Sequence, residues 1–520
     1  MKNNNEAEVL IVGAGPAGLM MAYALAKQGI SLRIIDKAQG PSKYSKALAI
    51  QARTLELFRL YGIEKDFLEK GIQAEHLNAH LDKKTLFRFH IHNEKTPYPF
   101  ILMLPQSETE AILIKRLKQD FNIEVERGLD LIDIKNQVRT VRVEIQNLIK
   151  NENEKATYTY VCACDGAHSS VRHLINLPFD GNPYEESFTL LDTHIKGNIL
   201  PNEGNVYIGH NSLIGIIPID KKYHRIILAQ PSNLRPPENI DEMQVLLNKH
   251  TPSTLELSEP LWLSHFRVSR RIVPTMSLEN IFLLGDAAHI HSPAGGQGMN
   301  LGIQDAVNLA WKMASVLNEK GSEWLLQSYS QERRPIALKI LRGTNIATQE
   351  IITRNPIFIW IRNNIISQLM KCPWIQRRIA VSLMQIGHNY RKSQWVEGRR
   401  DGKIKPGDRF PHFWLNSSRE DLSSLDLLDT TCHSLVVVHF GKTPVSESDK
   451  LKKMSNKLGL KVSVLSQDSE YSLQPSEIEE HLHISESRYY LVRPDGYIGY
   501  IGASLNENEI CDYLHYDEKV

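Results

Sequence analysis

Residues 9–36 leave a folding chain few options. VLIVGAGPAGLMMAYALAKQGISLRIID reads as strand, glycine turn, apolar-periodic helix to about Gln28, then a β-branched strand ending at Asp36. Within it, Gly13-Ala14-Gly15-Pro16-Ala17-Gly18 satisfies G-x-G-x-x-G in its required context. Gly13 permits the tight turn, Gly15 lets backbone approach a pyrophosphate, and Gly18 lets helix and strand pack closely. Asp36 stands where an acid binds an adenosine ribose hydroxyl.

A second junction, IFLLGDAAHIHSPAGGQGMNLG over residues 281–302, reads as strand, glycine loop and helix start. It offers one carboxylate, Asp286, and bare backbone N–H groups at a helix N-terminus, suited to hydroxyls and developing negative charge. A second acid-tipped strand serves the ribityl chain of a flavin and has no use for NAD. No second G-x-G-x-x-G occurs. The pair of junctions therefore points to FAD.

At 520 residues the chain exceeds one ordinary core, so two or three domains are expected. A formal net charge of +1 without a long basic stripe argues against nucleic acid. The five cysteines (162, 164, 372, 432, 511) are odd in number and form no C-x-x-C, which fits a reduced, cytoplasmic setting. MKNNNEAE is polar, so no signal peptide is expected, and no apolar run reaches the ~18 residues of a membrane span.

Along the chain, a helix is predicted over Ile50 to Tyr61, closed by Gly62, and another over SETEAILIKRLKQDF, opened by a Ser107-to-Glu110 capping box. Residues 76–101, 123–164 and 183–267 read mostly as strands, with a helical signal at Asn239 to Asn248. Helices dominate from 303 to about 387, with Arg333-Arg334-Pro335 expected to end one helix and start the next. A Gly/Pro-punctuated boundary from His388 to His412 precedes a small α/β module.

GAGPAG, CDGAHSSVR, GDAAHIHSPAGGQGMNLGIQDAVNLAWK and YSQERRP, in that order, resemble the class A flavoprotein monooxygenases, the FAD-dependent aromatic hydroxylases, over about residues 7–390. PGDRFPHF and YYLVRPDGYIGYIG resemble the C-terminal thioredoxin-like domain of the branch that holds phenol, polyketide and rifampicin hydroxylases. The resemblance implies an α/β fold in three parts. These are a Rossmann-like FAD-binding domain with helical extension (1–75, 102–182, 268–395), an inserted β-sheet substrate domain of the para-hydroxybenzoate hydroxylase kind (76–101, 183–267), and a thioredoxin-like domain (405–520). It implies NAD(P)H as co-substrate and hydroxylation of an aromatic or polyketide-like molecule by O2 through a flavin C4a-hydroperoxide. An epoxidase, another flavin oxidoreductase or a non-catalytic flavin protein are the alternatives, and a homodimer is an option.

By the same resemblance, Gly13, Gly15, Ala17 and Gly18 would contact the FAD pyrophosphate and Asp36 the ribose. Arg53 would sit near the phosphates and Gln106 would touch the cofactor. Asp165 and Gly166 would serve FAD and the passing nicotinamide. Asp286 would hold the ribityl hydroxyls, with Pro293, Gly296, Gly298, Met299 and Asn300 around the ring. Two departures stand out: Asp36 replaces the usual glutamate, and Lys46 replaces an arginine, losing planar bidentate contact.

No catalytic acid or base is assigned. Tyr207, His210 and His265 cannot be ranked, and each reads first as an ordinary sheet residue. His289-Ile290-His291 has metal-like spacing, but no carboxylate or cysteine cluster accompanies it in sequence, so no metal site is assigned. Cys162 and Cys164 read as packed strand residues, and the tail lacks C-x-x-C, so redox activity is not expected there. PIFIWIRNNIISQLM could lie on a membrane but reads first as a helix packed between domains.

Overall fold

Val9–Val12 is buried along its whole length, as a central strand flanked on both faces must be. It lies between Leu32–Asp36 and Tyr160–Ala163, parallel to both. Ile281–Leu283 and Glu126–Arg127 extend the parallel set outward, and Ser277–Leu278 adds an antiparallel edge. Five parallel strands therefore point their carboxyl ends at one sheet edge. The computed structural model describes residues 7–514 except 43–46, 82–83, 92–94, 210–211, 252–253, 293, 322, 352–355, 401 and 417–421.

Helix Pro16–Lys27 begins with proline at its first position, where the missing N–H costs nothing. It lies against the long helix Gly298–Leu317, which follows the second glycine loop. The predicted helix near Ile50 runs Ala52–Tyr61 and ends at Gly62. The Ser107 capping box does not form. The helix starts at Gln106 behind Pro105, and Glu110 instead accepts a 2.8 Å hydrogen bond from the Gln106 amide. The reason lies upstream: the Gln106 N–H is already held by the Ala47 carbonyl at 3.1 Å, so the N-cap falls at Pro105, two residues early.

Helix Glu323–Ile351 runs straight through Pro335. Proline removes one backbone donor, yet the two arginines just before it fasten the helix to neighbouring elements. Arg333 donates to Asp305 at 2.6 Å and Arg334 to the Val273 carbonyl at 2.9 Å. The expected helix end is thus overridden by tertiary contacts, with the arginines bridging elements.

A second sheet of eight strands runs His289–Ile290, Glu256–Ile272, Asp180–Lys196, Tyr223–Pro231, Leu213–Pro218, Glu203–Ile208, His76–Leu81, Lys84–His90. Alternation along each strand gives it two apolar faces. One face holds Leu191, Ile214, Ile216, Ile226 and Leu228 under helix Ile240–His250. The other gathers Tyr184, Phe188, Ile227, Ala229, Phe266 and Val268 together with Ile290 of the glycine loop region.

The C-terminal module is a six-stranded mixed sheet in the order Glu397–Gly398, Ile498–Gly502, Arg488–Val492, Ser434–Val438, Lys461–Ser466, Tyr471–Ser472. Helices Val445–Leu458, Pro475–Leu482 and Glu507–Leu514 accompany it. Ion pairs fasten it to the rest. Arg493, with no exposed surface, grips Glu332 at 2.7 and 2.8 Å, and Arg59 grips Asp426 at 3.0 and 2.7 Å.

Candidate functional site

The parallel register carries Gly13, Asp36, Cys164-Asp165 and Gly285-Asp286 to the same sheet edge. Gly13 N–H donates to the Ile35 carbonyl at 2.8 Å, Cys164 N–H to Val12 at 2.7 Å, and Leu284 N–H to Ala163 at 2.9 Å. Ligands in open α/β sheets bind outside this edge.

The three fingerprint glycines do different work. Gly13 has φ +100, and a Cβ there would stand 2.4 Å from the Cys164 carbonyl oxygen. At Gly18 a Cβ would meet the Gly13 carbonyl oxygen at 2.0 Å. Both are demanded by the protein itself. A Cβ on Gly15 would meet nothing within 4 Å. That open cradle at the N-terminus of helix Pro16–Lys27 is where an anionic group can approach the backbone. Ala17 packs beside Gly285 and Gly302, so it spaces the two glycine junctions.

Asp36 is oriented by its neighbours. Its two carboxylate oxygens accept from Ala14 N–H at 2.7 Å and Ala38 N–H at 2.8 Å, and Arg127 stands 3.5 Å away. Each oxygen keeps a further lone pair for a ribose hydroxyl. Asp165 accepts from Val171 N–H at 3.0 Å through one oxygen, while its other oxygen is buried without a hydrogen-bond partner. Burial pushes its carboxyl above the usual range, against the pull of Ser169 and Val171. Asp286 is exposed.

Arg172 was not singled out by sequence, yet it ties the two loops together. It donates to the Ala287 carbonyl and the Ala167 carbonyl, both at 3.0 Å. Asp305 was missed as well. Fully buried, it accepts from Gly285 N–H at 3.2 Å and Arg333 at 2.6 Å and pairs with His289 at 2.8 Å. An acid inside the apolar run of helix Gly298–Leu317 was the only signal available.

Several expected residues are engaged by the protein itself. Arg53 is turned into protein contacts. Its guanidinium is 1% exposed and is held by Glu56 at 3.1 Å and the Asp495 carbonyl at 2.6 Å, over the Tyr497 ring. Asn300 is not available as a side-chain ligand. It accepts from Gln51 N–H at 2.8 Å and donates to the Ala49 and Gly296 carbonyls at 2.8 and 2.9 Å, stapling two loops. A Cβ on Gly296 would strike Ala49 at 2.6 Å, so that glycine also serves loop contact. Gln106 is half-buried and turned to Glu110. Gly166 has open space around it, Gly298 faces His291, and Met299 is partly buried against the core. Lys46, Pro293 and His210 lie outside the described residues. Tyr207 is buried and stacked on His80, and His265 bonds Thr189 at 3.0 Å.

The imidazoles of the glycine loop diverge. His289 turns to Asp305, while His291 bonds the Ser292 carbonyl at 2.7 Å. Burial holds His291 down to about 4, so it is neutral at pH 7 and its Nδ1–H donates to that carbonyl. His388 is likewise held down to about 3 by burial and by Arg333, Lys339 and Arg53. Both groups take up protons more readily unfolded than folded below their ordinary value near 6.5. Stability is therefore expected to fall as pH drops from about 6.5 toward 4, and to be insensitive to these two groups above it. Urea midpoints across that window check this, and His388→Asn should flatten the slope.

The observations fit FAD: an open backbone cradle at Gly15, an acid at each of two strand ends, an orphaned buried oxygen on Asp165 and a helix N-terminus at Gly298. Residues 6–344 match the family model described as FAD binding domain. The chain is 31% identical to 6-methylpretetramide 4-monooxygenase of Streptomyces rimosus over 77% of this chain and 73% of that one. It is 30% identical to pentachlorophenol 4-monooxygenase of Sphingobium chlorophenolicum over 97% and 95%. Its fold is that of the flavin-dependent monooxygenase PieE, solved with FAD and substrate, with TM-score 0.81 and 20% identity over 99% and 98% of the two chains.

Proposed function

The chain belongs to the FAD binding domain family and is an FAD-dependent monooxygenase with NAD(P)H as co-substrate; we propose that it uses O2 to hydroxylate a flat aromatic or polyketide-like molecule. The observation that carries this reading is the shared sheet edge, where the Gly15 cradle and Asp36 stand at one strand pair and Asp286 at another.

In this reading Gly13, Gly15, Gly18 and Asp36 hold the ADP half of FAD, and Asp286 holds the ribityl chain. Asp165 and Gly166 line the passage for cofactor and nicotinamide. Bound FAD supplies the electron-transfer chemistry through which NAD(P)H activates O2. The N–H groups at Gly298 to Asn300 open a 20-residue helix, whose positive end would stabilise negative charge on a bound flavin. Gly285, Asp305, Arg333 and Arg172 hold the loops still, so little reorganisation is needed when charge develops. The apolar sheet face of Tyr184, Phe188, Ile227, Phe266 and Val268 suits a flat aromatic substrate and keeps water out.

We read residues 76–101 and 183–267 as the substrate domain, with 1–75, 102–182 and 268–395 as the cofactor domain. The C-terminal part from 405 is read as thioredoxin-like. Support comes from its β-α-β-β-α-β-β-α order from Ser434 onward and the central strand sequence Ile498–Gly502, Arg488–Val492, Ser434–Val438, Lys461–Ser466. It has no C-x-x-C, and its role is to brace the flavin domain through Arg493 and Glu332. A cytoplasmic setting and a homodimer remain part of this reading.

The test is a screen of phenols, anthraquinones, tetracyclines and rifamycins for stimulated NAD(P)H oxidation. A productive compound should consume O2 and gain the mass of one oxygen atom. Equal NAD(P)H oxidation with and without every compound, yielding only peroxide, would count against an aromatic substrate.

A further inference from the structure

Helix Pro356–Ile361 continues through a π-helical turn, Arg362–Ile366, into Ser367–Leu369. A π turn takes in one extra residue. Ile365, five residues after Trp360, therefore returns to the same side, and Leu369 follows four later. Trp360 is 59% exposed, Ile365 45% and Leu369 47%, and Trp374, just inside the next helix Pro373–Leu383, is 65% exposed. Four large apolar side chains on these consecutive helices therefore stand exposed, where the sequence pattern suggested a helix packed between domains.

Its charge is one-sided. Residues 351–385 hold five arginines and lysines and no aspartate or glutamate, although the whole chain is close to neutral at +1. Lys371, Arg377 and Arg378 are exposed beside the tryptophans. An aromatic-tipped apolar stripe on a segment whose charges are all cationic matches the interface of an anionic bilayer. The rings enter the headgroup boundary and each nearby cation adds attraction. No helix among the described residues is long and apolar enough to cross a membrane.

We propose that this surface docks the enzyme peripherally on an anionic lipid bilayer. The patch is coupled to the site. The far end of helix Pro373–Leu383 is tied to the flavin loop, where Gln297 donates to the Leu383 carbonyl at 3.1 Å, and Arg53 N–H donates to the Met384 carbonyl at 3.1 Å. Gln376 reaches the Arg88 carbonyl of the substrate sheet at 3.4 Å. Docking would place the substrate side of the enzyme next to the lipid, where apolar aromatic molecules accumulate.

The test uses the full-length FAD-loaded protein and vesicles of phosphatidylcholine with or without phosphatidylglycerol. The protein should sediment with the phosphatidylglycerol vesicles and release as salt is raised. Trp360→Ser/Trp374→Ser should weaken binding at least about tenfold while FAD content and NAD(P)H oxidation stay unchanged. Arg377→Gln/Arg378→Gln should weaken it on anionic vesicles and restore salt independence. No vesicle binding, or binding indifferent to both double variants, would overturn the proposal. So would a concentration-dependent dimer, dissolved by the tryptophan changes, in protein that ignores vesicles.

Discussion

Gly15→Val is expected to give a folded protein that no longer retains FAD. The residue has φ −77, a conformation open to any amino acid, and an ideal Cβ there touches nothing within 4 Å. The protein without cofactor should therefore keep its melting temperature. The added carbons would occupy the space through which a pyrophosphate approaches the helix N-terminus. FAD affinity should fall by about a hundredfold or more, which is roughly 2.7 kcal/mol. Gly18→Ala is the contrasting control, because its Cβ would lie 2.0 Å from a backbone oxygen and should harm folding itself. Fluorescence titration of FAD alongside thermal unfolding separates the two effects. A Gly15→Val protein with unchanged FAD affinity would show that the pyrophosphate does not cross at this turn.

Arg333→Met is expected to cost stability by about 3–5 kcal/mol, the range for removing one partner of a buried ion pair. Arg333 and Asp305 have no exposed surface, and the variant leaves the carboxylate with His289 and the Gly285 N–H alone. In the native protein burial would push the Asp305 carboxyl up, but Arg333 and then His289 outweigh it and hold it below the ordinary value. Stability from such a group is present above the unfolded aspartate value and lost as pH falls through the lower folded one. Without Arg333 that contribution disappears, so the gap between native and variant should be widest near neutral pH and close on acidification. Urea unfolding at several pH values measures it. A cost below about 1 kcal/mol at pH 7 would mean that the pair does not hold the Gly285 turn.

Much of the cofactor edge was legible because local sequence dictates it. Gly13, Gly18 and Asp36 are required by a strand, a turn and a helix within 28 residues, and their periodicity is plain. Asp286 follows from the same logic at a second strand end. What was not legible depends on partners far along the chain. Arg53 is claimed by Asp495 of the C-terminal module, more than four hundred residues away. Asn300 is consumed by the backbone of residues 49–51 and 296. Pro335 fails to stop its helix because Arg333 and Arg334 are pinned to other elements. Asp305 and Arg172 gain their roles only where the parallel sheet brings the two glycine loops side by side.

The most direct test of this account is a titration of FAD into deflavinated wild-type protein, read with an Asp286→Ala variant beside it. The account predicts saturation at one FAD per chain, with affinity lost sharply in the variant although the fold is intact. Correctly folded wild-type protein that stays colourless and takes up no FAD would contradict it.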